Sequence, residues 1–477
     1  MKKIFKKVVL CLLSSVMVAS ALTGCSSSGS KKGMTEDGKV LIEVSTKSKD
    51  VSEKEYNTSM DRFAKFEEWY QNEHPNSKGV HIEPHYYNFN VKDYSAMAVG
   101  NQLATYYYVP LTEAKGIIEA GYAKDITKWM EKYGYLENMD EKIKANIMRD
   151  GKCYLRPSSV YSVGIAVNMS LLKQAGYVSE DGTPYQPKTF EELAEMAGNI
   201  AKATGKAGMA FPTMNNVGGW RFTPIAWAYG VEFMKQDENG NWHATFNTPE
   251  CVEALQWVKD LKWKHNAVPE NIFMDFEKER AAFGSGEAAM TFAEGTSSTA
   301  FIQSGLKKEE VGFIHLPAGP KRHVTLIGGG YDVFNCNATD EQIDAAFEYL
   351  EWVGEGRKLD DKVKEKMEES LRLKSEQGNL IGILNSSPYT DNDPKRAHEI
   401  YLNTEKMVNI NINQVKAYNN QSELEWQAEE PIEAQALYAV LDNALQAVLT
   451  DKNADCAKLI EEAYKNFQVT LDTVNNS

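Results

Sequence analysis

The sequence predicts an α/β protein of two bodies built mainly on parallel sheet, and three observations carry that prediction. The chain has 477 residues, more than one hydrophobic core usually supports. Strand-like and helix-like apolar periods alternate along it, the pattern of strands joined by crossover helices. No internal repeat and no Pro/Gly-rich linker divides it, so a chain folded into two bodies must pass between them more than once. A hydrophobic content of 42% with 25% charged residues excludes a mainly disordered chain.

The elements follow in order. Met1 to Lys7 is basic, and Val8 to Leu22 is an apolar run of 15 residues, short of the roughly 20 that span a bilayer as a helix. That order reads as a secretory signal. Residues 40–45 (VLIEVS) predict a strand, and Tyr56, Met60, Phe63, Phe66 and Tyr70 recur at helical spacing up to Pro75. Residues 80–89 alternate as a second strand, and 101–125 holds a third strand and a helix. Residues 163–169 (VGIAVNM) are strand-like. Thr189-Phe190-Glu191-Glu192 opens a helix carrying Ala194, Ala197 and Ile200. The Asn239-Gly240 pair predicts a hairpin between 231–234 and 242–246, in preference to a calcium loop on Asp237. Thr248-Pro249-Glu250 starts another helix. Two more close the chain, on Ile432, Ala436, Val440 and Leu445, then on Ile460, Tyr464, Phe467 and Leu471.

Charge and chemistry narrow the function. The formal charge is −15, which argues against binding nucleic acid or anionic lipid through a basic surface. G-x-S-x-G, the P-loop and H-E-x-x-H are absent, and Gly328-Gly329-Gly330 lacks dinucleotide-binding spacing. His81 and His85 are four apart, but Pro84 between them argues against one helix face presenting both to a metal. No metal and no cofactor is therefore expected. Cys153, Cys251, Cys336 and Cys456 lack C-x-x-C spacing, and buried free thiols are the favoured reading. Aromatic residues are plentiful, with 9 Trp, 23 Tyr and 18 Phe.

Two resemblances give these features a direction. Leu22-Thr23-Gly24-Cys25, ahead of a Ser/Gly tail, resembles the bacterial lipoprotein lipobox. It implies a signal peptide over 1–24, lipid on Cys25, a tether over 25–33, and an outward-facing, membrane-anchored body. Phe283-Gly284-Ser285-Gly286-Glu287-Ala288-Ala289-Met290 resembles the F-x-x-G-x-A-A-M segment of the family 1 extracellular solute-binding proteins, which serve ABC importers for sugars. Gly121 to Thr127, Asp150-Gly151-Lys152 through Asn168, Pro187 to Leu193, and Gly328 to Asp332 with Ala345 to Trp352 fall in register with the same family. Leu155-Arg156-Pro157 departs from its Gly-x-Pro.

The resemblance implies a periplasmic-binding-protein-like (type II) fold, two α/β lobes joined by a multi-strand hinge with the ligand cleft between them. It places lobe one at 34–158 plus 291–328 and lobe two at 159–290 plus 329–477. It implies a monomer that binds a carbohydrate, performs no catalysis, and delivers its ligand to the transmembrane subunits of an ABC permease. A sugar needs flat aromatic surfaces and polar groups that replace its water contacts. Trp220, in an aromatic-bearing loop beside Arg221, is expected to stack on it. Tyr331, Tyr161 on the first crossing, and one of Tyr107 and Tyr108 are further candidates. Lys47 and Asp50 end the first strand and can bond hydroxyls, Glu294 follows the Ala-Ala-Met strand into the cleft, and Trp426 caps it. The family's Trp just after the Ala-Ala-Met segment is missing, since Glu294-Gly295-Thr296-Ser297 holds no aromatic. A ligand sensor of the same fold, a binder of a non-sugar solute, and an anchored glycoside hydrolase are the alternatives.

Overall fold

The structure is a computed structural model that describes residues 32–46, 53–86, 91–421 and 423–476. The signal peptide, Cys25, Lys47 and Asp50 lie outside the described residues. The first lobe grows from β1 (Val40–Thr46), whose alternation turns Ile42 and Val44 into the core. α1 (Glu53–Glu73) buries Phe63 and Phe66 and returns the chain to β2 (Val80–Tyr86), parallel to β1. After α2 (Val91–Val99), β3 (Tyr106–Pro110) joins the other side of β1, also parallel. β4 (Leu155–Ser162) leaves this sheet, and after Val163 alone the chain continues as β5 (Gly164–Asn168) in the second lobe.

In the second lobe α3 (Phe190–Thr204) starts on Thr189, whose hydroxyl accepts from the Glu192 amide, and ends on Gly205 at φ 67°. α4 (Val217–Tyr229) is buried on every face. α5 (Pro249–Trp263) has Pro in its first turn, and α6 (Phe276–Gly284) is capped by Asp275. β6 (Met290–Ala293) and β7 (Val311–Ile314) both run antiparallel to β5. β8 (Val324–Phe334), buried throughout, carries the chain back to the first lobe, where α7 (Asp340–Trp352) opens on a Thr339/Gln342 capping box. α8 (Asp361–Glu376) and α9 (Pro394–Tyr401) follow. β9 (Glu425–Ala428) pairs parallel with the start of β8, and α10 (Ala434–Thr450) and α11 (Cys456–Asn475) complete the second lobe against α4 and α5. The larger sheet therefore runs β9-β8-β3-β1-β2, with β4 also on β8, and the smaller one β6-β5-β7.

Several expectations need correction. The smaller sheet is antiparallel throughout, because β6 and β7 each pair with the strand continuing the first crossing. The lobe assignments of 291–328 and of the stretch from 329 through α7 are exchanged, while the two last helices lie in the second lobe as expected. β6, β7, Val324 and Leu326 pack in the second core, whereas Tyr331, Val333, Ile343, Phe347 and Leu350 pack in the first. The second lobe regains the chain only near Leu424. Residues 218–222 are not a loop but the first turns of α4, a helix apolar all round and so without a readable period. Cys153, Cys251 and Cys456 are buried free thiols, as favoured, while Cys336 is exposed.

Candidate functional site

The crossing strands bring aromatic rings together through missing side chains. A Cβ on Gly328 would lie 2.3 Å from the Tyr161 ring, and one on Gly330 2.3 Å from the Tyr108 ring. Bare backbone on β8 thus lets both tyrosines lie against the hinge. Between them Gly329 holds φ +135°, with its Cβ position 2.0 Å from the Ser159 carbonyl oxygen, a conformation open only to glycine.

Trp220 is positioned by the start of α4. Asn216 enters at φ 68°, and the amides of Asn216 and Gly219 donate to the two carboxylate oxygens of Asp442 on α10, each at 2.7 Å. The acid thereby caps a neighbouring helix whose own N-cap side chain makes no such bond. Gly219 permits the approach, since its Cβ would stand 2.3 Å from the Tyr438 carbonyl oxygen. The Trp220 ring meets Phe276 edge to face at 5.7 Å. Arg221 lies behind it, 4.5 Å from the Trp220 ring centre and 5.3 Å from that of Phe276.

Arg221 is almost wholly buried and held by two acids, Glu294 at 2.8 Å and Glu279 at 3.4 Å. Burial works against its charge, and the two carboxylates more than offset that. Burial also opposes ionisation of Glu294, but Arg221 and the Ser297 hydroxyl, 2.9 Å away, outweigh it and hold the acid below its ordinary range. For Glu279 burial prevails and pushes the carboxyl up despite Arg221 and a 2.6 Å bond from Thr291. The shorter contact and the net lowering make Glu294 the ionised partner.

These groups surround a cavity of about 390 Å³ whose walls include Tyr161, Trp220, Phe276, Arg280, Glu294 and Glu429. Glu429 accepts from the Tyr438 hydroxyl at 3.0 Å, while burial pushes its carboxyl up. Glu113, just beyond β3 in the first lobe, adds to that shift, and is itself pushed up by burial and by Glu433. Acidic groups of both lobes therefore approach each other here. Larger recesses of about 610 Å³ by Lys202 and 670 Å³ over α8 lie away from the crossing strands and are lined by no Phe, Tyr or Trp ring.

Of the residues expected from sequence, Tyr161, Trp220 and Glu294 line this cavity. Tyr108 is 41% exposed beside Tyr161 on the hinge. Tyr107 does not line the cavity, because it faces the first-lobe core with its hydroxyl 3.0 Å from that of Tyr94. Tyr331 is likewise fully buried in that core, since alternation along β8 puts it on the face opposite Gly330. Arg221 supports Trp220 from behind rather than lining the cavity. Trp426 lies half-buried on β9 against the first core, away from the walls. Sequence reasoning missed Phe276, Arg280, Glu429 and Tyr438, whose only local signals are helix starts after Asp275 and Pro431.

Residues 100–355 match the model of a family described as bacterial extracellular solute-binding protein. Among solved structures, the chain is similar to a cyclic alpha-maltosyl-1,6-maltose binding protein from Arthrobacter globiformis, with 18% identity, a TM-score of 0.62, and 91% of this chain and 100% of that one covered. It is similar to maltose-bound MalE3 of T. maritima at 18% identity, TM-score 0.60, with 91% and 99% covered. The sugar-binding protein MalE from Xanthomonas citri gives 13% identity and a TM-score of 0.65, with 91% and 98% covered. These likenesses are of fold, the type II periplasmic-binding arrangement of two α/β lobes.

Proposed function

The chain belongs to the bacterial extracellular solute-binding proteins, and from that premise we propose that it binds a sugar or short oligosaccharide between its lobes and delivers it to an ABC permease without catalysis. One observation carries this reading: a cavity that sets the rings of Trp220, Tyr161 and Phe276 against the carboxylates of Glu294 and Glu429. Aromatic faces cover the apolar C–H faces of a sugar ring, and carboxylates accept from its hydroxyls. Glu294 is pre-set for this, because Arg221 and Ser297 each occupy one of its oxygens and leave further acceptor capacity on both.

Binding acts through the hinge. The chain crosses between lobes within 161–163, near Ile327, and again before Leu424, so closure needs rotations at few positions. A ligand touching both lobes favours the closed form by its differential affinity for it. Tyr108 and Glu113 are the first-lobe groups that would complete the contact. The lipid on Cys25 would keep the protein near the permease, acting as a monomer on the outer face of the membrane.

A thermal-shift screen of mono- and oligosaccharides tests the proposal. A ligand at a hundred times its dissociation constant adds about 2.7 kcal/mol, which is a rise of several degrees in Tm. A rise with a peptide or a divalent metal and with no glycan would remove the sugar reading.

A further inference from the structure

Residues 353–420 belong to neither sheet. They rest on the first lobe through Tyr389, which bridges to Met139, and on the second through Ile383, Ile410, Val415 and Tyr418. Inside this segment α8, α9 and the stretch 383–387 enclose a cavity of about 330 Å³, apart from the one described above. Its charged lining is one-sided. Arg357, Lys366, Lys374, Lys395 and Arg396 face it, against the single carboxylate of Glu399.

Two of the cations there, Arg357 and Arg396, keep a buried donor without an acceptor. Arg357 is bonded to Asp393 and stacked 3.5 Å from the centre of the Tyr389 ring, but its Nε–H has no acceptor. Arg396, 8% exposed, donates to Glu399 and to the Asn385 carbonyl, both at 3.0 Å. Its Nε–H is also buried without an acceptor, and the nearby exposed Asp391 stands 3.8 Å away. Lys395 donates to the carbonyls of Gly354 and Gly356. Burial, and then the charge of Arg357, lower it to about 8 even with Glu351, Glu355 and Asp393 nearby. α8, which brings Lys366 and Lys374 to the rim, buries no residue of its own. The core therefore gives no reason for that helix to present lysines here.

We propose that this cavity is a second binding site, for a phosphate-type oxyanion carried by a small soluble ester or by a phospholipid headgroup. Two guanidinium groups with free Nε–H donors and a desolvated ammonium are the chemistry that recognises such an anion. The volume, roughly ten times the ~30 Å³ share of one water, holds a phosphate with a small organic group attached.

The test uses the mature chain and two probes, inorganic phosphate by calorimetry and sedimentation with phosphatidylglycerol vesicles. Saturable one-to-one binding of phosphate is expected, weakened about tenfold or more by Arg396→Gln. The double variant Lys366→Gln/Lys374→Gln, at exposed positions where folding is not at stake, should weaken it about threefold with an unchanged Tm. Vesicle binding without phosphate binding, lost in the double variant, would assign the site to a headgroup. Binding of neither probe, or binding unmoved by both variants, overturns the proposal.

Discussion

Arg221 Nη1 donates to Glu294 Oε1 at 2.8 Å, and neither side chain is more than 8% exposed. The pair joins the back of the Trp220 ring to an acid on the cavity wall, so the position of one wall depends on the other. Arg221→Met would leave the ionised Glu294 buried without its counter-charge, at a cost of about 3–5 kcal/mol. Urea unfolding should show that loss. A change under 1 kcal/mol would mean that the pair bears little of the lobe's stability.

Trp220 supplies a ring face to the cavity wall. Trp220→Ala would also open a hole in the second core, so Trp220→Phe is the cleaner variant. It should weaken sugar binding by about tenfold with a modest change in Tm. Unchanged affinity would take Trp220 out of the site.

The glycines of β8 give a graded prediction. Gly329→Ala meets both a φ of +135° and the Ser159 carbonyl at 2.0 Å, and should destabilise by more than ~3 kcal/mol. Gly328→Ala meets only the Tyr161 ring, which can swing away at the expense of the binding wall. It should cost more affinity than stability, and equal stability losses for the two would contradict this.

Glu430 accepts from the Trp227 indole at 3.3 Å, and burial pushes its carboxyl up to about 7. Its folded pKa exceeds the unfolded value, so the folded state holds the proton more tightly. The resulting stability is fully present below the ordinary carboxylate range and is lost as pH rises through about 7. Glu430→Gln should match wild type near pH 5 and exceed it near pH 8 by up to ~3 kcal/mol. Parallel pH profiles of the two proteins would refute it.

The fold was legible because strand–helix alternation is local, whereas the first passage between lobes, set at 158/159 by the family resemblance, falls at Ser162–Val163. Which sheet a strand joins is not local. β6 and β7 are short apolar runs that suit either lobe, and pairing with β5, more than a hundred residues earlier, decides it. Tyr106, Tyr107 and Tyr108 show the same limit at a smaller scale. Alternation separates Tyr107 from Tyr108, but both sheet faces are covered at Tyr106 and Tyr107, so parity alone does not say which ring stays exposed. Trp220 lines the cavity from the first turns of α4, a helix whose all-round apolar sequence shows no period. Glu429, the residue after β9, stands at the cavity bonded to Tyr438 of α10, a meeting of two elements that no sequence period announces.

The most direct measurement is a calorimetric titration of the mature protein with the sugar that gives the largest thermal shift, repeated on Glu429→Gln. A single saturable site with a negative heat-capacity change, weakened about tenfold when the buried acceptor is altered, is the predicted result. Tight binding of a sugar that is indifferent to both Glu429→Gln and Trp220→Phe would contradict the account, because the sugar would then be held elsewhere than in the cavity between Tyr161 and Trp220.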